Sequence, residues 1–403
     1  MYKRLSQDSV NRINNSFRVL LLTGPRQVGK TTLLKNLMPS NMNYVSLDNK
    51  RLRDLAKSNP DTFLEEHPWP LFIDEAQYAP ELFPYIKMRV DEFKERGMYW
   101  LTGSQQFNLM KDVQESLAGR VGIISLNSFT FKEVNNNCNA VVFNPDKFQK
   151  EDNLTIEEVF NSIFKGGMPE LYDIPNMGRK DFFSSYIDTY ITRDVVEQTN
   201  ITNIELFKNF MVSVAFRTGE QLNYTNIAKE LKISDNTVRA WLNILITSGI
   251  VYLLPPLMNS KLKRITHMPK IIFMDTGLCS YLAGWEDAKE LQMSDKSGHY
   301  LETFIISEIV KSYNAIGKEL NISYYRDKEK NEIDLVFFKN DKYYPFEIKK
   351  TKDPNPNMIK NFNKLTESGK SVEPGGIICF FDHLMHLDDK NYIIPISSVI
   401  NLK

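Results

Sequence analysis

The chain has 403 residues, room for roughly two to four domains. Lys+Arg and Asp+Glu each number 50, so net charge gives no support to a nucleic-acid role and any basic surface must be local. Three scattered cysteines, Cys138, Cys279 and Cys379, exclude a disulfide framework and a metal-binding pair, and fit a reducing, cytoplasmic setting.

Apolar residues make up 42% and charged residues 25% of the chain, as in ordinary soluble folds. No apolar run approaches the length of a membrane span and the first residues lack a signal core, so no membrane partner is expected. Of the five histidines, only His383 and His386 stand close together, and they read as surface residues rather than zinc ligands.

Apolar residues 17–23 predict a buried parallel strand. The strand runs into Gly24-x-x-x-x-Gly29-Lys30-Thr31, and residues 32–38 have helical apolar spacing. Strand, glycine-bearing loop and helix in that order make a phosphate-binding loop, whose backbone N–H groups wrap phosphates at a helix N-terminus. The predicted nucleotide-binding residues are Gly24, Pro25, Arg26, Gln27, Val28, Gly29, Lys30, Thr31 and Thr32. Lys30 would reach the β/γ-phosphates of ATP, and the Thr31 hydroxyl would ligate Mg²⁺.

Pro70-Leu-Phe-Ile-Asp74-Glu75 is an apolar strand closed by two acids. Asp74 would share the Mg²⁺ with Thr31, and Glu75 would polarise a water for attack on the γ-phosphate. A third apolar strand, Met98-Tyr-Trp-Leu-Thr102-Gly-Ser104-Gln105, ends in polar residues. Ligands sit at the carboxyl ends of such strands, so Thr102 and Ser104 are candidate sensors of the γ-phosphate.

Residues 1 to about 134 thus alternate strand and helix patterns, as an α/β nucleotide-binding core should. Residues 135–153 are polar and turn-rich and read as a loop. From about 155 to 215 the period is helical, with Arg193-Asp194 read as a buried pair.

Residues 219–257 have the order helix, turn, helix, glycine, strand of a winged helix. Ser234 is placed to cap the second helix, and Asn236, Thr237 and Arg239 on it are candidate DNA contacts. Winged helices also serve as protein-contact modules or lids, so a protein partner stands as the alternative.

After Gly298 a helix carries Glu302, and strand-like segments follow at 322–326, 332–338 and 343–350. Alternation puts Glu332 with Asp334 on one face, and Glu347 with Lys349 on one face. If those two strands pair, Asp334, Glu347 and Lys349 converge, with Glu302 in reach. Carboxylates beside a lysine are what Mg²⁺-dependent phosphodiester cleavage requires, although a hairpin with solvated charges has the same pattern.

The motifs Gly24-Pro-Arg-Gln-Val-Gly-Lys-Thr-Thr32, Phe72-Ile-Asp-Glu-Ala-Gln77, Leu101-Thr-Gly-Ser104 and Leu117-Ala-Gly-Arg120 resemble those of prokaryotic AAA-superfamily ATPases that carry a C-terminal domain of unknown function. Phe273-Met-Asp-Thr-Gly-Leu278, Tyr325-Arg326, Glu332-Ile-Asp334 and Glu347-Ile-Lys349 are similar to that C-terminal region, which in turn resembles restriction endonucleases. The resemblance implies an α/β P-loop NTPase core (parallel sheet with flanking helices), a helical lid plus winged helix, and a C-terminal restriction-endonuclease-like α/β domain. The boundaries expected are 1–150, 151–218, 219–290 and 291–403. ATP and Mg²⁺ are the implied cofactors.

On this reading Lys30 and Glu75 are catalytic, Thr31 and Asp74 hold the metal, and Glu302, Asp334, Glu347 and Lys349 form the candidate nuclease site. Arg120 is a candidate arginine finger, acting in cis or from a neighbouring subunit of a homo-oligomer, with a structural ion pair as the alternative. Three functions compete: an ATPase acting on DNA, an ATP-dependent switch that binds protein partners without cleaving nucleic acid, or a Mg²⁺-dependent nuclease gated by ATP.

Overall fold

Val19–Thr23 forms β1, five residues buried on both faces of a sheet. That burial is why the segment reads as a continuous apolar run rather than an alternating one. Before it stands α1 (Gln7–Ser16), and after it α2 (Lys30–Leu37), β2 (Asn43–Ser46), α3 (Lys50–Ser58), α4 (Pro60–Glu66), β3 (Leu71–Asp74), α5 (Leu82–Phe93), β4 (Tyr99–Gly103) and β5 (Val121–Ser125).

The strands make a five-stranded sheet in the order β2-β3-β4-β1-β5. Every pairing in it is parallel, and the register sets Thr23 beside Gly103 and Ser125. The crossover order puts the carboxyl ends of β1, β3 and β4 side by side, where α/β sheets bind ligands. Leu21, Ile73, Leu101, Phe83 and Ile86 are among the core residues that join sheet to helices.

This is a computed structural model. It describes residues 2–103, 113, 115–149, 153–174, 177–190, 201, 203–257 and 268–402, with 367 and 368 described by backbone alone. Ser104, Gln105 and the Arg193–Asp194 pair lie outside the described residues. The chain divides into two compact units, one of residues 1–128 with 247–249 and 314–318, the other holding the remainder.

The second unit begins with α6 (Phe131–Val134) and continues through α7 (Ile156–Lys165), α8 (Glu170–Asp173), α9 (Arg179–Tyr190) and α10 (Ile204–Ala215). Capping boxes start α6 and α7, at Thr130 with Glu133 and at Thr155 with Glu158. Next come α11 (Tyr224–Leu231), α12 (Asp235–Thr247) and the antiparallel pair β6 (Val251–Leu254) and β7 (Lys270–Phe273). Lys232 turns the chain between α11 and α12 in the left-handed region, at φ 55°. The Ser234 hydroxyl then accepts the Thr237 N–H at 3.0 Å, as a helix cap should.

Three helices follow, α13 (Thr276–Leu282), α14 (Ala288–Met293) and α15 (Ser297–Ile316). The C-terminal sheet is built on β8 (Ile322–Arg326), β9 (Glu332–Lys339) and β10 (Lys342–Ile348). β11 (Ser371–Val372), β12 (Gly376–Cys379), β13 (Met385–His386) and β14 (Tyr392–Pro395) complete it, in the order β13-β14-β12-β10-β9-β8 with β11 on β10. β9 and β10 pair antiparallel with Phe346 opposite Leu335, so Asp334 and Glu347 are the next facing positions. Ile333, Val336, Tyr343, Phe362 and Ile377 pack one core against this sheet.

Candidate functional site

The loop after β1 needs two glycines for different reasons. Gly24 has φ +148°, and a Cβ there would lie 2.0 Å from the Leu126 carbonyl oxygen. Gly29 has φ +87° and occupies the N-cap of α2, a left-handed position that costs a side-chain-bearing residue energy. Gln27 also has positive φ, at 59°. The loop therefore curls tightly between a buried strand and a helix N-terminus, the shape that turns backbone N–H groups toward an anion.

Lys30 is buried, and its ammonium donates to the carbonyls of Gly24 at 3.0 Å and Pro25 at 2.7 Å. It thus spans the loop it would share with phosphates. Beside it, Asp74 ends β3 and collects three hydroxyls. Thr31 Oγ1 donates to its Oδ1 at 2.8 Å, Tyr44 to its Oδ2 at 3.1 Å, and Thr102 Oγ1 to its Oδ1. Burial raises the pKa of the Tyr44 phenol, so the phenol remains the donor.

Thr102 also accepts the backbone N–H of Glu75 at 3.2 Å. Glu75 stands in the left-handed region at φ 57°, ψ 45°, an uncommon conformation for a residue with a side chain and one that clusters at functional sites. Gln77 Nε2 donates to its carboxylate.

The fold thus gathers Lys30, Thr31, Asp74, Glu75 and Thr102 at the carboxyl ends of β1, β3 and β4. The paired oxygens of Thr31 and Asp74 are the hard ligands that Mg²⁺ takes. Tyr44 and Gln77 join the site as well. Gln77 sits in the Asp74-Glu-Ala-Gln77 motif, where a reader could have found it. Tyr44 could not be placed from spacing, because only the pairing of β2 with β3 brings it to Asp74.

Arg120 lies elsewhere. Its carbonyl accepts the Val19 N–H at 3.2 Å, at the amino end of β1. That is a strand length, roughly 13 Å, from the loop. Its guanidinium grips Asp91 with two bonds, of 2.6 and 2.7 Å, and Arg18 reaches the same carboxylate at 3.3 Å. A role in cis is therefore corrected to the structural pair, because the sheet register points this residue to the opposite edge.

Residues 16–135 match the family described as "AAA domain". The N-terminal segment is an AAA-type ATPase domain. The match supports ATP binding and hydrolysis by this AAA domain. Residues 156–289 and 297–399 match two domains of unknown function, DUF8612 and DUF4143.

Uncharacterized proteins of Mycobacterium tuberculosis and Mycobacterium bovis are each 28% identical to the chain over 338 residues, covering 83% of it and 71% of their own length. Among solved structures, the Thermotoga maritima RuvB Holliday junction branch migration motor is similar at 16% identity and a TM-score of 0.30, over 62% of this chain and 89% of that one. A STAND protein with a tetratricopeptide repeat sensor from Pyrococcus horikoshii gives 12% identity and a TM-score of 0.25, over 77% and 46%. The assignment of the AAA domain rests on the family match rather than on these distant likenesses.

The second unit brings the remaining predicted acids together, with cations among them. Lys349 lies between Asp334 at 2.9 Å and Glu347 at 2.6 Å, and Asp334 also accepts the Ile348 N–H at 2.9 Å. Glu302 is buried and pairs at 2.6 Å with Lys270, which also meets Glu332 at 2.5 Å. Burial pushes the Glu302 carboxyl up to about 7 and, with the charge of Asp334, Glu347 up to about 9. Burial alone would lower the Lys270 pKa, but Glu302, Asp334 and Glu332 outweigh it and hold the ammonium charged.

The expectation that Glu302 completes a metal-binding carboxylate group meets a buried ammonium instead. Among the described residues no group of three or more His, Cys, Asp or Glu is arranged to hold a metal ion. Lys270 carried no signal in the sequence.

Of the candidate DNA contacts on α12, Asn236 is exposed. The Thr237 hydroxyl is shared with Ser234 at 2.8 Å. Arg239 is exposed but stacks on the Tyr224 ring, 3.8 Å from its centroid. Among the described residues no helix is long and apolar enough to cross a membrane.

Proposed function

We propose that the chain is a Mg²⁺-dependent ATPase whose nucleotide cycle drives the helix-turn-helix and C-terminal sheet of its second unit, with DNA as what they engage. The convergence of Thr31, Thr102 and Tyr44 on Asp74, with Glu75 next in the chain, carries this reading. Thr31 and Asp74 would hold Mg²⁺, which when bound would neutralise charge on the β- and γ-phosphates. Lys30 would trade its loop carbonyls for phosphate oxygens. Glu75 is the base that orients and polarises the attacking water, and Gln77 fixes its carboxylate. Thr102 connects the two acids, so that a change at the γ-phosphate reaches the end of β4.

On the same reading the C-terminal cluster is a packed charge network rather than a second catalytic centre. Lys270 already pairs with Glu302, the carboxylate expected to complete a metal-binding group, and with Glu332.

An ATPase assay with and without DNA tests the proposal. Wild-type protein should turn over ATP, DNA should stimulate it, and Lys30→Ala should abolish turnover. Normal turnover in Lys30→Ala would sink the catalytic assignment. Turnover indifferent to DNA at low salt, with a protein partner recovered in its place, would remove DNA from the reading.

A further inference from the structure

We infer that Arg4 is a positioning residue for the phosphate-binding loop, holding the Val28–Gly29 peptide in the orientation that phosphate binding requires. The inference rests on the ATP reading above. Arg4 lies outside residues 16–135, the stretch matched to the AAA family. It precedes α1, and nothing in its local sequence marks it as functional.

The side chain nevertheless reaches the loop. Arg4 is 9% exposed. Its Nη1 donates to the Val28 carbonyl at 2.8 Å and its Nη2 to the Asn127 carbonyl at 2.6 Å. A Cβ built on Gly29 would lie 3.8 Å from Nη1, so the guanidinium sits directly behind that peptide.

Peptide planarity turns this contact into an orientation. In a trans peptide the C=O of one residue and the N–H of the next point in opposite directions. An Arg4 that holds the Val28 carbonyl therefore aims the Gly29 N–H away from itself, toward the side where phosphates would lie. Gly29 has no Cβ to resist rotation, so without the guanidinium this peptide is free to flip.

The second bond supplies the anchor. Asn127 follows Leu126, whose carbonyl oxygen packs against Gly24 and whose N–H donates to Thr23 at 2.8 Å. Segment 126–127 thus backs the first glycine directly and the second through Arg4. A rigid planar fork can hold two carbonyls at once, whereas the compact ammonium of lysine holds them poorly together.

The test uses the full chain as wild type, Arg4→Lys, Arg4→Met and Lys30→Ala. Binding of a fluorescent ATP analogue with Mg²⁺, steady-state kinetics and melting without nucleotide are measured on each. The loop grips phosphate in both ground and transition states, so its loss is uniform binding loss. Arg4→Met should raise Kd and KM about tenfold or more with kcat changed less than about threefold. Arg4→Lys should fall between the two, with KM raised roughly threefold.

A staple that serves only the fold would lower the melting temperature and leave Kd and KM alone, and that result overturns the inference. Wild-type KM in Arg4→Lys together with a kcat collapse in Arg4→Met overturns it too. If Arg4→Met does not fold, wild-type Kd and KM in Arg4→Lys alone suffice to overturn it. Failure of the wild type itself to bind the analogue would sink the ATP reading, an outcome separate from equal binding by wild type and Arg4→Met.

Discussion

Asp74 accepts from Thr31, Thr102 and Tyr44, and the three donors enter from different strands and from α2. A carboxylate held this way is oriented before any metal arrives, and such supporting hydrogen bonds tune metal affinity. Tyr44→Phe deletes one donor and keeps the ring, which packs edge-on to Phe72 at 5.1 Å between centroids. Tyr44→Phe should raise the Mg²⁺ concentration needed for nucleotide binding by about tenfold while the melting temperature barely moves. A Mg²⁺ titration that superimposes on wild type would remove Tyr44 from the site. Arg120 makes the opposite case. An arginine finger is worth about a thousandfold or more in kcat, so Arg120→Ala should leave kcat within about twofold at every protein concentration if the residue is structural. Hydrogen bonds from Arg120 hold the Asp91 carboxyl below its ordinary value. A lowered carboxylate pKa adds stability above the unfolded value and loses it as pH falls through the folded one. Arg120→Ala should therefore melt earlier than wild type at neutral pH, and the gap should close as pH drops below about 4.

At the level of elements, the motifs work because each strand ends where the next requires it. Five parallel strands run in register, so residues far apart in sequence finish at one edge. In the second unit the antiparallel pairing of β9 with β10 brings Glu332 and Asp334, at the start of β9, beside Glu347 near the end of β10, and β7 adds Lys270. The Lys270 side chain is 3% exposed and its ammonium meets Glu302 from α15 and Glu332 from β9, which ties the small β6–β7 sheet to the larger one. Removing one partner of a buried ion pair leaves an uncompensated charge. Lys270→Met should cost about 3–5 kcal/mol in chemical denaturation of the full chain. Adding Glu302→Gln to that variant should recover a large part of the loss. A double variant no more stable than Lys270→Met would mean that the ammonium acts through something other than this pair.

For the whole molecule, net neutrality means that any DNA affinity must come from a local surface, and such binding weakens steeply with salt. If DNA stimulates ATP turnover through α12, Arg239→Ala should reduce stimulation without changing basal kcat. Raising salt should abolish it in both proteins. Stimulation equal in Arg239→Ala and wild type would move the contact off this helix.

Much of the molecule was legible in the chain. The phosphate-binding loop could be read because its glycines, lysine and threonine are contiguous and their spacing has a steric cause. Strands Ile322–Arg326, Glu332–Lys339 and Lys342–Ile348 could be read, as 322–326, 332–338 and 343–350, because β-branched and aromatic content is a local signal, even though β9 and β10 are buried along most of their length. The Ser234 cap was readable for the same reason, since it depends on a neighbour three residues away. Tyr44 on Asp74, Arg4 behind Val28, Lys270 among the acids and Arg120 on Asp91 are different in kind. Each joins residues separated by long stretches of chain, and each depends on strand register and packing that no local pattern encodes. The sequence by itself determined which chemistry the chain can hold; the tertiary structure decided which side chains orient that chemistry and which carboxyl groups pair with lysine.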